Sequence, residues 1–319
     1  MTNGDCIRVE KVVKSFGATQ AVHELDLRVP RGSLCGFLGP NGAGKSTTIR
    51  MLMSIIRPDS GRISVLDGDA ISRKDRIGYL PEERGVYRKM RVGEFLHFIA
   101  RLKGIPPRGL TPHIKDWLER IGLPDAYRRR CEELSKGMQQ KVQFLASIIH
   151  DPELIILDEP FSGLDPVNAM LLNKVVRDLH AEGRTILFST HVLHQAEQMC
   201  DRIILIDRGR KILDDRLEHI REQFDPHTIT AEPLGDARAF AAHADAIEGV
   251  ESTVIDSNDK VHAVIAAELD PSTLMTRILS GQSVRSIELG RATLDEVFVK
   301  LVGRPADKTD SEVLELDHV

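Results

Sequence analysis

No uninterrupted apolar run in this chain reaches ten residues, whereas a membrane-spanning helix needs about 20. A spanning helix is thereby excluded. The N-terminus, Met1-Thr2-Asn3-Gly4-Asp5, lacks a cationic stretch followed by an apolar one, so it does not read as a secretory leader and the cytosol is the expected location. Cysteine is sparse as well: Cys6, Cys35, Cys131 and Cys200 stand far apart and form no C-x-x-C pair. Neither a zinc ribbon nor a redox motif has support, and reduced thiols are expected. An excess of positive charge is also missing. The 43 Lys and Arg against 48 Asp and Glu leave a formal charge of -5, which argues against a dedicated nucleic-acid binder with a basic stripe.

What is present is enough chain for two domains: 319 residues, at roughly 100 to 200 per domain, with a hydrophobic share of 41% and a charged share of 29%. Residues 7 to 38 alternate apolar and polar positions in short runs, Ile7-Arg8-Val9 and Leu25-Asp26-Leu27-Arg28-Val29, with a turn at Pro30-Arg31-Gly32 before the strand Leu34 to Leu38. A helix is predicted from Lys45 to Ile56, ended by Pro58-Asp59-Ser60-Gly61. Residues 90 to 150 change character. Val92, Phe95, Leu96, Ile99 and Leu102 form one helical stripe, and Trp117, Leu118 and Ile121 another, which predicts an inserted helical subdomain. The strand-helix pattern resumes at Leu154 to Leu157, a helix over 166–182, and strands over 185–189 and 202–206, as in a buried, mostly parallel sheet.

Beyond about residue 221 the pattern is βαββαβ plus a last helix, with strands over 228–232, 250–255, 261–265 and 284–289 and helices over 236–246, 271–280 and 293–302. That order predicts a ferredoxin-like second domain over 222–303. Thr293 and Glu296 can form a capping box for the last helix, and the polar, acidic stretch 304–319 reads as a loose tail.

Three stretches carry chemistry. Gly39-Pro40-Asn41-Gly42-Ala43-Gly44-Lys45-Ser46 matches G-x-x-x-x-G-K-[ST], a pattern that a chain of this length meets by chance about 1% of the time. Its glycines let backbone N–H groups turn toward phosphate oxygens, Lys45 neutralises the outer phosphates, and the Ser46 hydroxyl can ligate Mg²⁺. Asp158-Glu159 closes a buried strand, where one carboxylate can reach the same Mg²⁺ and the next can polarise a water. Leu134 to Gln140 is a Ser/Gly turn opening a helix whose free N–H groups could hold an anion. His191 and His194 could instead pair on a metal, but no third ligand is evident.

Taken together, the set resembles the nucleotide-binding subunit of ABC transporters. Gly39 to Thr47 is similar to the phosphate loop, Leu134 to Gln140 to the signature, Leu154 to Glu159 to the Mg²⁺ strand, Ser162 to Asp165 to the following loop, and Ser189-Thr190-His191 to the switch. The resemblance implies an α/β phosphate-loop ATPase domain over 1–221, followed by the small α+β domain, with two copies sandwiching two ATP molecules. It implies that Phe16 stacks on adenine, that Gly39, Asn41, Gly42, Ala43, Gly44, Lys45, Ser46 and Thr47 hold the phosphates, and that Ser46, Asp158 and Glu82 serve Mg²⁺. By the same likeness Glu159 is the general base and His191 contacts the γ-phosphate. Ser135 and Gly137 bind from the opposing subunit, which Asp165 also contacts. Glu82 stands where the family usually has glutamine, Lys136 where glycine is usual, and Met138 where glutamine is usual. These variants, with the ending Ala292 to Phe298, resemble an export-type branch, which implies a cytoplasmic subunit on the inner face of the cell membrane, a homodimer, and a separate membrane permease. The alternative is a soluble ABC-type ATPase acting on nucleic acid or ribosomes.

Overall fold

The computed structural model describes residues 4–83, 85–225 and 227–303, so the tail expected over 304–319 lies outside the described residues. The chain divides into two compact units, Met1–Leu217 and Glu218–Val319.

In chain order the first unit holds β1 (Asp5–Phe16), β2 (Thr19–Pro30), β3 (Leu34–Leu38), α1 (Lys45–Leu52), β4 (Ser60–Val65) and β5 (Ile77–Leu80). The helices α2 (Val92–Leu102), α3 (Leu110–Arg120) and α4 (Lys136–Ile148) follow, with 3₁₀ turns at Pro124–Arg128 and Cys131–Glu133. Then come β6 (Leu154–Asp158), α5 (Pro166–Ala181), β7 (Thr185–Thr190), α6 (Leu193–Met199), β8 (Arg202–Asp207) and β9 (Arg210–Arg216). Helix α7 (Leu217–Gln223) carries the chain across the division.

Two sheets build this unit. The larger runs β5-β6-β7-β3-β8-β9, parallel except for the β8/β9 pair, and the smaller is antiparallel in the order β2-β1-β4. One apolar core joins them: Ile7, Val9, Leu25 and Leu27 of the small sheet cluster with Phe37, Ile156, Leu187 and Ile204 of the large one and with Ile49 and Leu52 of α1. Strands β6 and β7 are buried at every position, which is why they read as bare apolar runs rather than alternating ones.

Several expectations are corrected. β1 and β2 are continuous strands, not short runs; register shifts after Val9 and Val12, with left-handed backbone at Lys11 (φ 46°) and Glu24 (φ 42°), interrupt their alternation. Helix α1 stops at Leu52 rather than Ile56, because Ser54 turns left-handed (φ 55°) and the N–H groups of Ile55 and Ile56 close onto the Arg50 carbonyl. Leu102, the last residue of the helical stripe, is 64% exposed at the end of α2. The cysteines are buried free thiols, and burial pushes Cys6 up to about 11.

The rim of the large sheet at the start of its parallel strands is tied by polar groups. Arg76 holds Glu153 through two hydrogen bonds of 2.5 and 2.6 Å, Arg31 pairs with Asp67 at 2.7 Å, and Arg184 pairs with Asp151. His150 Nε2 meets the Ile77 carbonyl at 3.0 Å, while its Nδ1 is buried without a partner. Burial, then the nearby Lys103 ammonium, depress this imidazole to about 4. The neutral ring is favoured in the fold, so its contribution is fully present above the unfolded value near 6.5 and is lost as pH falls toward 4. Between about pH 7 and pH 4.5 the wild-type protein should lose about 2 kcal/mol more stability than a His150→Gln variant. Urea unfolding followed by the fluorescence of Trp117, the chain's single tryptophan, checks this; parallel acid limbs would refute it.

The second unit contains β10 (Thr228–Pro233), α8 (Ala237–Asp245), β11 (Val250–Ile255), β12 (Val261–Ile265), α9 (Pro271–Leu279), β13 (Val284–Leu289) and α10 (Leu294–Val302). Its antiparallel sheet runs β11-β12-β10-β13, the ferredoxin-like arrangement. Ile229, Ala231, Val261, Ala263 and Ile265 pack against Phe240, Ala244, Leu274 and Ile278 of the helices. Thr293 and Glu296 form their capping box at 3.3 and 3.0 Å.

Candidate active site

The chemistry-bearing residues gather where β3, β6 and β7 end. Because these strands run parallel, register places Asp158 beside Ser189 and Leu38 beside Thr190. Ligands of open α/β sheets bind outside such carboxyl ends.

After β3 the chain turns through Gly39 to Gly44 into α1. Gly39 is required by close approach, since a Cβ there would fall 2.2 Å from the Ile206 carbonyl oxygen. Gly44, at φ 100°, is the N-cap of α1, and its Cβ would meet the Ala21 carbonyl at 2.6 Å. Asn41 and Gly42 are exposed at the loop's crest, Ala43 is buried, and Ser46 and Thr47 are partly buried in the first turn. Lys45 is 6% exposed; its ammonium donates to the Gly39 carbonyl at 2.6 Å and the Pro40 carbonyl at 3.2 Å. Burial pulls this lysine below its usual range, and the carboxylates of Glu159, Asp158 and Glu82 push back. Three acidic residues predicted from separate segments thus act electrostatically on one cation.

Asp158 is 2% exposed and accepts from Ser189 Oγ at 2.5 Å. Glu159 takes a left-handed backbone (φ 50°), uncommon for a non-glycine residue, and its N–H donates to both the Ser189 carbonyl and Oγ at 3.2 Å. Its carboxylate meets His191 Nδ1 at 2.9 Å and Thr190 Oγ1 at 3.5 Å. An ionised carboxylate only accepts, so Nδ1 carries the proton and the ring is oriented by Glu159. His194 turns elsewhere and meets Gln198 at 2.8 Å, so the two histidines do not converge on a common point.

Phe16 ends β1 with 53% exposure, and the Lys14 ammonium lies 5.5 Å from its ring centre. Glu82 is exposed on the loop after β5, within electrostatic reach of Lys45. Ser135 caps α4 by accepting the Met138 N–H at 3.3 Å, and Gly137 is half-buried beside Leu164. Asp165 caps α5 by accepting the Asn168 N–H, which holds its carboxyl below the usual range. Among the described residues, no hydrogen bond or ion pair joins Ser135, Gly137 or Asp165 to the phosphate loop.

Two contributors were not singled out from the sequence. Ser189 joins the two carboxylates, although Ser189-Thr190-His191 was recognised only as a motif. Tyr79, the third residue of β5, has a phenol pushed up to about 12 by burial and then by the Asp158 charge.

The oxygen donors fit a hard divalent cation: a hydroxyl at Ser46, the buried Asp158 carboxylate and the Glu82 carboxylate, all near a loop shaped for phosphates. A glycine-shaped phosphate loop, an inward lysine and a strand-terminal carboxylate pair define a phosphate-loop nucleoside triphosphatase.

The family model described as ABC transporter matches residues 22–162, and that described as ATP-binding protein DrrA1-3-like, C-terminal domain, matches 216–302. The uncharacterized ABC transporter ATP-binding protein YhaQ of Bacillus subtilis is 39% identical over 93% of this chain and 98% of its own length. The daunorubicin/doxorubicin resistance ATP-binding protein DrrA of Streptomyces peucetius is 36% identical over 96% of this chain and 95% of its own. A solved ATP binding subunit of an ABC transporter superposes with a TM-score of 0.64 at 30% identity, covering 69% of this chain and 93% of that one. The chain belongs to the ABC transporter ATP-binding proteins and is an ATPase of that family.

Proposed function

We propose that this chain powers export through a separate membrane permease, with ATP closing two copies face to face. The carrying observation is the cluster of Lys45, Asp158, Glu159 and His191 on one chain, while Ser135 and Gly137 stand outside it. A second copy supplying its signature helix would complete each site. The relative named for drug resistance, matched along nearly its whole length, supports export, and no described helix is long and apolar enough to cross a membrane.

In this reading Phe16 offers a face to adenine, and the N–H groups of Gly42 to Thr47 with Lys45 hold the phosphates in line. Mg²⁺ held by Ser46, Asp158 and Glu82 would supply charge neutralisation of the phosphates. Glu159 takes the proton of the attacking water; His191 and Thr190 hold its carboxylate, and Ser189 holds its backbone N–H. The segment 222–303 serves as an accessory domain that tunes the pairing of the two copies. Glu82→Gln should raise the Mg²⁺ needed for half-maximal hydrolysis more than the KM for ATP; an unchanged Mg²⁺ titration would remove Glu82 from the site.

Fractionation of cells making the full chain separates this reading from its rival. The chain should sediment with membranes, co-purify with a multi-span protein and show an ATPase rate altered by it. Sedimentation with ribosomes or nucleic acid, and stimulation by either, would overturn the reading.

A further inference from the structure

One buried side chain outside the recognised motifs spans the loop that bears Glu82. Gln143, in the third turn of α4, is 5% exposed. Its Nε2 donates to the Glu83 carbonyl at 2.9 Å and the Pro81 carbonyl at 3.5 Å, and its Oε1 accepts the Gly85 N–H at 3.1 Å. These backbone groups lie on both sides of Glu82. Strand β5 ends at Leu80, so the loop beyond it has no sheet ladder there to satisfy its polar atoms. The nearby ion pair between Arg50 and Glu83 spans 3.7 Å between exposed side chains, an arrangement that holds a loop weakly.

We propose that Gln143 is the positioning residue for the Glu82 carboxylate. It clamps the loop to α4 and keeps the carboxylate within reach of Lys45 and of a cation arriving with the nucleotide. The same helix sends Gln140 Nε2 to the Pro160 carbonyl at 3.3 Å, directly after Glu159. It also sends Lys141 Nζ to Asn168 Oδ1 at 2.8 Å, and Asn168 in turn holds Asp165. Helix α4, which Ser135 caps, therefore touches the loops of Glu82, Glu159 and Asp165 through three side chains within one turn. Gln143 alone of the three faces the loop of the metal-side carboxylate. A glutamate at 143 would keep the acceptor but lose both donor contacts, so the amide chemistry itself is required.

The inference rests on the reading of Glu82 as a carboxylate serving Mg²⁺, and the test separates the two. Gln143→Met keeps length and apolar packing while removing all three hydrogen bonds. In the full chain, binding of a ribose-labelled fluorescent ATP is titrated with Mg²⁺, and amide exchange is followed across residues 78–87. Gln143→Met should raise the Mg²⁺ half-saturation roughly three- to tenfold and speed exchange at Gly85, with Mg²⁺-free nucleotide affinity unchanged. Added to Glu82→Gln, it should shift the half-saturation no further. Faster loop exchange with an unmoved Mg²⁺ midpoint would reduce Gln143 to a structural tie and overturn the proposal. A shift that persists in the double variant would also overturn it, by showing a route other than Glu82. If Glu82→Gln alone leaves the midpoint unmoved, the Glu82 reading fails first and takes the inference with it. Should Gln143→Met not fold, Gln143→Asn, whose amide is drawn back by one methylene, gives the same comparison.

Discussion

Glu159→Gln is expected to slow ATP hydrolysis by roughly 100- to 10,000-fold while nucleotide still binds. The two side chains have the same shape, and the amide oxygen can still accept the His191 Nδ1 proton that now reaches Glu159 across 2.9 Å. What disappears is the capacity to take a proton from water. Binding should survive because the phosphate loop and Lys45 are untouched, and removing one of three negative charges around Lys45 favours an incoming triphosphate. Single-turnover phosphate release, with a parallel binding titration, measures both halves. If two copies close on ATP as proposed, sedimentation in ATP and Mg²⁺ should show the variant held as a dimer. Turnover at the native rate would move the base elsewhere.

Lys45→Ala should act at the opposite step and weaken ATP binding by about 10- to 100-fold, the worth of one or two charge-assisted hydrogen bonds. The ammonium is already confined among Gly39, Pro40 and the carboxylates before any ligand arrives, so little ordering is left for binding to impose. Without it, Asp158, Glu159 and Glu82 lose the lysine charge that offsets them beside the phosphate loop. Thermal unfolding offers a clean readout. A ligand that binds only the folded state stabilises it by about 2.7 kcal/mol at a hundred times its Kd, and at the same ATP concentration this should fall to about 0.4 to 1.4 kcal/mol in the variant, with a correspondingly smaller rise in Tm. An undiminished rise would show that Lys45 does not meet the phosphates.

The phosphate loop and the Asp158-Glu159 strand end were legible because each is a local signal. Glycine spacing announces the loop, and a strand buried on both faces has no polar alternation to confuse it. Elements that bury little apolar surface escaped: β4 is mostly exposed along Ser60 to Ile63, and β9, reading Arg-Lys-Ile-Leu-Asp-Asp-Arg, looks like a charged loop until it pairs with β8. Helices α6 and α7 have seven residues each, too few for a period to declare itself. The ferredoxin-like order of the second unit was readable because its strands and helices alternate cleanly and three of its caps are Asp or Thr. Contacts such as His191 with Glu159, or Gln143 with Gly85, join residues 32 and 58 positions apart, so no window of sequence contains both partners.

The shared direction of β3, β5, β6 and β7 gives this unit a working end and an anchoring end. The phosphate loop, Asp158, Glu159 and His191 lie where the strands finish; the pairs Arg76 with Glu153, Arg31 with Asp67 and Arg184 with Asp151 lie where they begin. The full length of the strands, about 15 to 20 Å, separates a fluorophore or surface linker placed beside Asp151 or Asp67 from the reacting groups. Such a handle leaves the nucleotide's approach clear, and tethered protein should bind ATP as it does in solution.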